Sequence, residues 1–109
     1  MLSEIKLGDV TLNLTHYSGK DLYSDGEVEN GLLELVRDHP AKDYSPWIEE
    51  RADWPSLYHL SHLRSNAIEW LPIRSTDKVL EIGSGCGALS GMLSQKSGVL
   101  DCVELSQKR

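Results

Sequence analysis

The segment that most constrains the fold is VLEIGSGCGALS, residues 79–90, where a short apolar stretch carries a carboxylate and runs into three alternating glycines. Glycines directly after a strand let the backbone turn tightly, and a following helix directs its positive N-terminal end toward the same point. The pattern predicts a strand over Lys78–Ile82, a loop over Gly83–Gly87 and a helix from Ala88 to about Lys96. It therefore indicates a ligand-binding loop at the end of a strand.

A second strand is predicted over Val99–Val103, after a turn at Ser97-Gly98, and it ends at Glu104. Strand, glycine loop, helix and strand are the opening unit of a doubly wound, Rossmann-like α/β sheet. Two parallel strands and one crossover helix cannot cover both faces of their own sheet. We therefore expect residues 76–109 to be the truncated start of a cofactor-binding domain, with more of the protein or residues 1–75 covering the sheet.

The 75 residues before this unit predict a hairpin followed by helices. Apolar residues alternate on both sides of Gly8-Asp9, which is the pattern of a tight β-hairpin. Apolar residues spaced by three or four then predict helices, each with a polar cap or a proline at its start. The predicted helices cover about Glu27–Asp38 with a cap at Ser24 or Asp25, Ser45-Pro46 to about Ala52, and a longer stretch from a cap at Ser56 to about Trp70.

Two cofactors suit a glycine loop with an acidic residue after the second strand. For NAD(P) the loop holds a pyrophosphate and the acid binds ribose, and Gly83-x-Gly85-x-x-Ala88 with Glu104 about 20 residues later fits that pattern. Glu81 argues against it, because a carboxylate two residues before the first glycine would face the pyrophosphate at close range and repel it. S-adenosylmethionine has no phosphate, and its amino group and sulfonium are cationic. Glu81 can lie near that cationic portion, while Glu104 can accept both ribose hydroxyls.

These residues resemble a known family. VLEIGSGCGALS closely resembles the first motif of class I S-adenosylmethionine-dependent methyltransferases, and LDCVELS, residues 100–106, resembles the end of their second strand. The resemblance implies a methyltransferase that uses S-adenosylmethionine. It places Glu81, Gly83, Gly85 and Gly87 on the methionine side of the cofactor and Glu104 at the ribose. The strands that carry the substrate side in that family are not among these residues, so no catalytic residue is assigned and we expect the 109 residues alone to be inactive.

A second resemblance concerns WPSLYHLSHLRSNAIEWLPI, residues 54–73, which is similar to the helix before this motif in bacterial methyltransferase domains linked to cell-surface polysaccharide and glycosyltransferase genes. It implies a saccharide or other small-molecule acceptor. It also makes Arg64 or Tyr58 a candidate for binding the carboxylate end of the cofactor. An ordinary role for both residues on an amphipathic helix stays open.

Composition and charge limit the partners. The net charge of −6 offers no basic surface for nucleic acid. No apolar run reaches the roughly 18 residues that span a bilayer, and the first residues lack the layout of a signal peptide, so we expect no membrane association and a cytoplasmic location. Cys86 and Cys102 match no disulfide or redox motif, and their spacing to His59 and His62 matches no metal site, so no metal is expected.

Three classes of function follow from these observations. A methyltransferase is the first, an NAD(P)-dependent oxidoreductase is the second, and a non-catalytic accessory or oligomerisation segment is the third. An unpaired strand or an exposed apolar sheet face would allow self-association in any of them.

Overall fold

The computed structural model describes residues 3–21, 26–107 and 109. The described residues form an α/β structure with two separate two-stranded sheets, one antiparallel and one parallel. The elements in chain order are β1 (Glu4–Leu7), β2 (Val10–Asn13), α1 (Glu27–Asp38), α2 (Ser45–Arg51), α3 (Trp54–Leu60), a 3₁₀ helix (His62–Ala67), β3 (Lys78–Ile82), α4 (Ser90–Lys96) and β4 (Val99–Val103).

The N-terminal hairpin is confirmed. Strands β1 and β2 pair antiparallel, with Leu7 opposite Val10 and Glu4 opposite Asn13. Gly8, in the turn between them, has a φ of 62°, a left-handed conformation that glycine adopts without the steric cost of a Cβ atom.

Helices α1 and α2 are also confirmed. Leu32 and Leu35 of α1 are buried, as the spacing of its apolar residues predicts. The predicted caps at Ser24 and Asp25 lie outside the described residues. Helix α2 carries Pro46 in its first turn, where the missing N–H of proline costs no hydrogen bond.

The long helix predicted from Ser56 to about Trp70 is wrong. Helix α3 begins earlier, because the Asp53 side chain accepts a hydrogen bond from the backbone N–H of Ser56 at 2.7 Å, and this bond lowers the pKa of Asp53. The helix ends at Leu60, because the next residue, Ser61, has an extended backbone (φ −72°, ψ 128°) and its hydroxyl accepts from the N–H of Leu63. Serine side chains compete in this way for backbone groups, so the stretch breaks into a short α-helix and a 3₁₀ helix.

Strands β3 and β4 are parallel and in the register that pairs Glu81 with Cys102 and Ile82 with Val103. Helix α4 connects them and packs against β4, with Leu93 buried. The helix begins at Ser90, slightly later than the predicted Ala88. The strand–loop–helix–strand order predicted from the glycine motif is therefore present.

Side-chain contacts attach this unit to the preceding segments. The Lys96 ammonium donates to the backbone carbonyls of Glu69 and Leu71 at 2.6 and 3.1 Å. Arg109 forms an ion pair of 2.6 Å with Glu29 of α1, a carboxylate with only 1% of its side chain exposed. Because a buried carboxylate is costly without a partner, this pair holds the segment after β4 against α1.

One face of the parallel sheet is open. Glu81 and Cys102 point to the face that α4 covers, as their contacts with Ser90 of that helix show. The alternate residues are exposed, Leu80 at 59% and Ile82 at 79%. Within the described part of the chain, no helix is long and apolar enough to cross a membrane.

Candidate functional site

The glycine loop after β3 is tied to the end of β4 through the backbone. The carbonyl oxygen of Val103 accepts from the N–H of Gly83 at 2.7 Å and from the N–H of Ser84 at 3.3 Å. Gly83 and Gly85 have φ values of 73° and 57°, which residues with a Cβ atom rarely adopt. Among the described residues, no atom beyond the neighbouring residues would lie within 4 Å of a Cβ added at either position. The loop therefore presents bare backbone to open space.

Glu104 is joined directly to this loop. Its Oε2 accepts a hydrogen bond of 2.7 Å from the backbone N–H of Gly85. Its Oε1 accepts from the N–H groups of Leu105 and Ser106, at 2.8 and 3.1 Å. A carboxylate offers about four acceptor positions, so these three bonds leave one without rearrangement. The carboxylate is fixed beside the loop.

Glu81 is held by a residue that the sequence reasoning missed. The Ser90 hydroxyl donates to Oε1 of Glu81 at 2.6 Å, and the Sγ atom of Cys102 lies 3.9 Å from the Ser90 oxygen. Glu81 is half-buried between β3 and the start of α4. A hydroxyl at the first position of the helix behind a glycine loop was the available signal for this contact.

The predicted site residues thus fall into one region. Gly85 and Glu104 touch directly, Gly83 bonds to the strand that ends at Glu104, and the N–H of Gly87 donates to the Ser84 carbonyl within the loop. Glu81 lies on the α4 side and reaches the loop region through Ser90.

Arg64 and Tyr58, the other sequence candidates, contact one another. The Arg64 guanidinium lies 4.1 Å from the centre of the Tyr58 ring, and its Nη1 donates to the Tyr58 carbonyl at 3.2 Å. This is a cation–π arrangement between α3 and the 3₁₀ helix that follows it. It supports the ordinary role that the sequence left open for these two residues.

A cavity of about 500 Å³ adjoins Glu104. One side consists of the end of β4 and the residues after it, and the other of the segment after the hairpin. Its lining residues include Val103, Glu104 and Leu105 on the first side and Thr15, His16 and Tyr17 on the second. The described residues contain no cluster of three or more His, Cys, Asp or Glu side chains arranged to hold a metal ion.

Ser90 offers a test of the Glu81 contact. Ser90→Ala should lower the free energy of unfolding by about 1 kcal/mol, because a half-buried carboxylate loses its hydroxyl donor. Ser94→Ala is the matched control, since that hydroxyl donates to a carbonyl of the same helix and is exposed. Urea denaturation of the two variants measures the difference, and equal midpoints would mean that the Ser90–Glu81 bond does not stabilise the unit.

Comparison with known proteins identifies the family to which this chain is similar. The family model described as Protein-L-isoaspartate(D-aspartate) O-methyltransferase (PCMT) matches residues 22–105, a range that ends just after Glu104. No curated protein and no solved structure matched the chain. The PCMT family is a family of class I methyltransferases that use S-adenosylmethionine, which decides between the two cofactors that the loop pattern allows. The match covers most of the 109 residues, and the chain belongs to the protein-L-isoaspartate(D-aspartate) O-methyltransferase family.

Proposed function

We propose that this chain supplies the S-adenosylmethionine site of a methyltransferase, built from the glycine loop, Glu81 and Glu104. The observation that carries the proposal is the 2.7 Å hydrogen bond from the Gly85 N–H to Oε2 of Glu104. It joins the two parts of the motif into a single site, although Gly85 and Glu104 are 19 positions apart in the chain.

The residues present suit the cofactor. Open space lies beside Gly83 and Gly85, so a ligand can approach the backbone there. Glu104 keeps one acceptor position for a ribose hydroxyl. Accepting both hydroxyls, as the sequence suggests, requires it to release one of its backbone N–H donors. The adjoining cavity of about 500 Å³ falls in the range of small-molecule sites.

Each carboxylate has a separate role in this proposal. Glu81, held by Ser90, places negative charge near the cationic amino and sulfonium groups of the ligand. Glu104 binds the ribose and at the same time positions Gly85. Bound S-adenosylmethionine supplies an activated methyl group, and Gly83, Gly85 and Gly87 let the backbone lie close to it.

We also propose that β3 and β4 begin a doubly wound sheet. Their parallel pairing, the α4 crossover and the apolar residues exposed on the opposite face support this, because such sheets are covered on both faces. Self-association through the same face is the competing arrangement, and sedimentation would detect it as a dimer. The division into residues 1–75 and 76–109 and the cytoplasmic location belong to this proposal.

For the acceptor we propose an oxygen nucleophile. The name of the matched family includes isoaspartate. In an isoaspartyl residue the peptide chain runs through the β-carboxyl group, and the free α-carboxylate is such a nucleophile. The saccharide acceptor suggested by residues 54–73 is the second candidate, and it finds no support in the family match. A panel of isoaspartyl peptides and saccharides, assayed with labelled S-adenosylmethionine, separates the two. We expect the 109 residues alone to bind cofactor without turnover, because methyl transfer requires an acceptor held in line with the methyl group.

Glu104→Ala tests the cofactor site. The variant should bind S-adenosylhomocysteine at least about tenfold more weakly, since a hydrogen bond to a charged group contributes about 1.5–3 kcal/mol. Calorimetric titration measures the affinity. Glu50→Ala removes an exposed carboxylate of α2 and should leave the affinity unchanged.

A ligand lacking the 2′-hydroxyl separates ribose binding from the loop contact of Glu104. If Glu104 binds the ribose, losing this hydroxyl should weaken binding to the parent protein and have little further effect in Glu104→Ala. Equal losses in both proteins would remove Glu104 from the ribose site.

A further inference from the structure

The cavity beside Glu104 has a wall that lies outside the family match. Asn13 and residues 15–18 line this wall, and the match begins at residue 22. Opposite this wall are Val103, Glu104 and Leu105 at the end of β4. The cavity therefore lies between a structure shared with the family and a segment that belongs to this chain's own N-terminal region.

The lining indicates which end of the cofactor enters this space. None of residues 81–87, all of them described, contributes to it, whereas Glu104 does. The methionine side of the ligand is assigned to the loop and Glu81, so the cavity is left for the nucleoside. Val103 and Leu105 offer apolar surface for a planar base, and Thr15 and His16 offer polar groups for its edge.

Asp21 holds the two sides of the cavity together. Its Oδ1 accepts from the Tyr17 hydroxyl at 2.9 Å and from the backbone N–H of Gln107 at 2.7 Å. The hydrogen bond to Asp21 raises the pKa of Tyr17 above its ordinary value, so the phenol remains a donor even in mildly alkaline solution. Tyr17 is thereby fixed to the segment that follows Glu104.

We propose that residues 13–18 form the outer wall of the adenosine subsite, with Tyr17 as the wall's nucleoside-contacting side chain and Asp21 as its positioning residue. The proposal rests on the proposed function, since it assigns the cavity to the nucleoside of S-adenosylmethionine. It adds an element that the glycine motif does not contain. The hairpin then serves to present this wall, because Asn13 is both the last residue of β2 and the first residue of the wall.

The affinity of S-adenosylhomocysteine and of adenosine alone tests the wall. Tyr17→Ala should weaken both ligands by the same factor, roughly fivefold or more, which is the lower end of the effect of removing an aromatic side chain from a base. Tyr17→Phe keeps the ring, loses the bond to Asp21 and should lie between Tyr17→Ala and the parent. Tyr44→Ala is the matched control, because that half-buried tyrosine contacts Trp47 instead.

A second measurement uses only the parent protein, so it does not depend on how the variants fold. It records nuclear Overhauser effects between bound S-adenosylhomocysteine and the protein. Contacts from the adenine H2 or H8 proton to the Tyr17 or His16 ring would support the wall. Glu104-dependent binding with no such contacts, and with unchanged affinity in Tyr17→Ala, would overturn the wall and leave the proposed function standing. Contacts from an acceptor instead of adenine would also overturn it. Absence of any S-adenosylhomocysteine binding by the parent would overturn both.

Discussion

Gly98→Ala is expected to destabilise the chain more than any other single methyl group added in the parallel unit. A Cβ atom at Gly98 would overlap the carbonyl oxygen of Ser75. The carbonyl oxygen is a backbone atom, and the Cβ atom would be bonded directly to the backbone, so neither atom can rotate away as the end of a side chain would. The N–H of Gly98 also donates to the Asp77 carbonyl at 3.0 Å, which holds Gly98 in place. The turn into β4 must therefore move.

The expected loss is about 3 kcal/mol, at the upper end of the usual cost of overpacking. For a domain of this size, that corresponds to a fall in melting temperature of roughly 10 °C or more. Thermal unfolding followed by circular dichroism measures it.

Gly91→Ala is the control for this experiment. Gly91 lies in α4, and a Cβ atom there would meet no described atom within 4 Å apart from its chain neighbours and the backbone of its own helix. Because alanine favours a helix over glycine by about 1 kcal/mol, this variant should be as stable as the parent or more so. A Gly98→Ala protein that melts with the parent would show that the turn at Ser75–Asp77 does not lie against Gly98.

Gly85→Val is expected to abolish cofactor binding. Gly85 has a φ of 57°, a conformation in which a β-branched residue is strained, at a cost of about 1–3 kcal/mol. The Val side chain would also project into the open space beside the loop, which is assigned to the ligand. Relaxing the strain would move the Gly85 N–H away from Glu104 and so disturb both halves of the site.

Gly8→Val is the control that separates the effect of backbone strain on stability from the effect of a side chain placed in the cofactor site. Gly8 has a φ of 62° and equally open surroundings, but it lies in the hairpin turn, at the opposite end of the hairpin from Asn13. It should cost similar stability and retain binding of S-adenosylhomocysteine in calorimetry. A folded Gly85→Val protein that binds as the parent does would mean that the loop does not hold the ligand.

The sequence predicts those features that depend on neighbouring residues. Proline in the first turn of α2, the Gly8-Asp9 turn and the alternation around it are local signals, and the structure contains the elements they predict. The glycine motif likewise predicts β3 and β4 with the same bounds that the structure gives. Local steric limits decide each of these features, so one segment is sufficient to predict it.

Features that depend on competition or on distant contacts were not predicted. The break of α3 at Ser61 depends on whether a serine hydroxyl or the helix satisfies the backbone, and spacing alone does not decide this. The hydrogen bond from the Gln107 N–H to Asp21 joins residues 86 positions apart, and the one from the Gly85 N–H to Glu104 joins residues 19 positions apart. Tertiary packing brings these groups together. The motif predicts that Glu104 lies near the glycine loop, but it predicts neither of these hydrogen bonds.

The most direct test of the cofactor site is a titration of the ¹⁵N-labelled chain with S-adenosylmethionine, followed by two-dimensional ¹H–¹⁵N spectra. The proposed site predicts saturable shifts of the Gly83, Gly85 and Gly87 amides, together with the Leu105 amide that donates to Glu104. NAD⁺ at the same concentrations should leave these amides unmoved. Unchanged loop amides at saturating S-adenosylmethionine, or tighter saturable binding of NAD⁺ at the same positions, would contradict the assignment of the loop and Glu104 to S-adenosylmethionine.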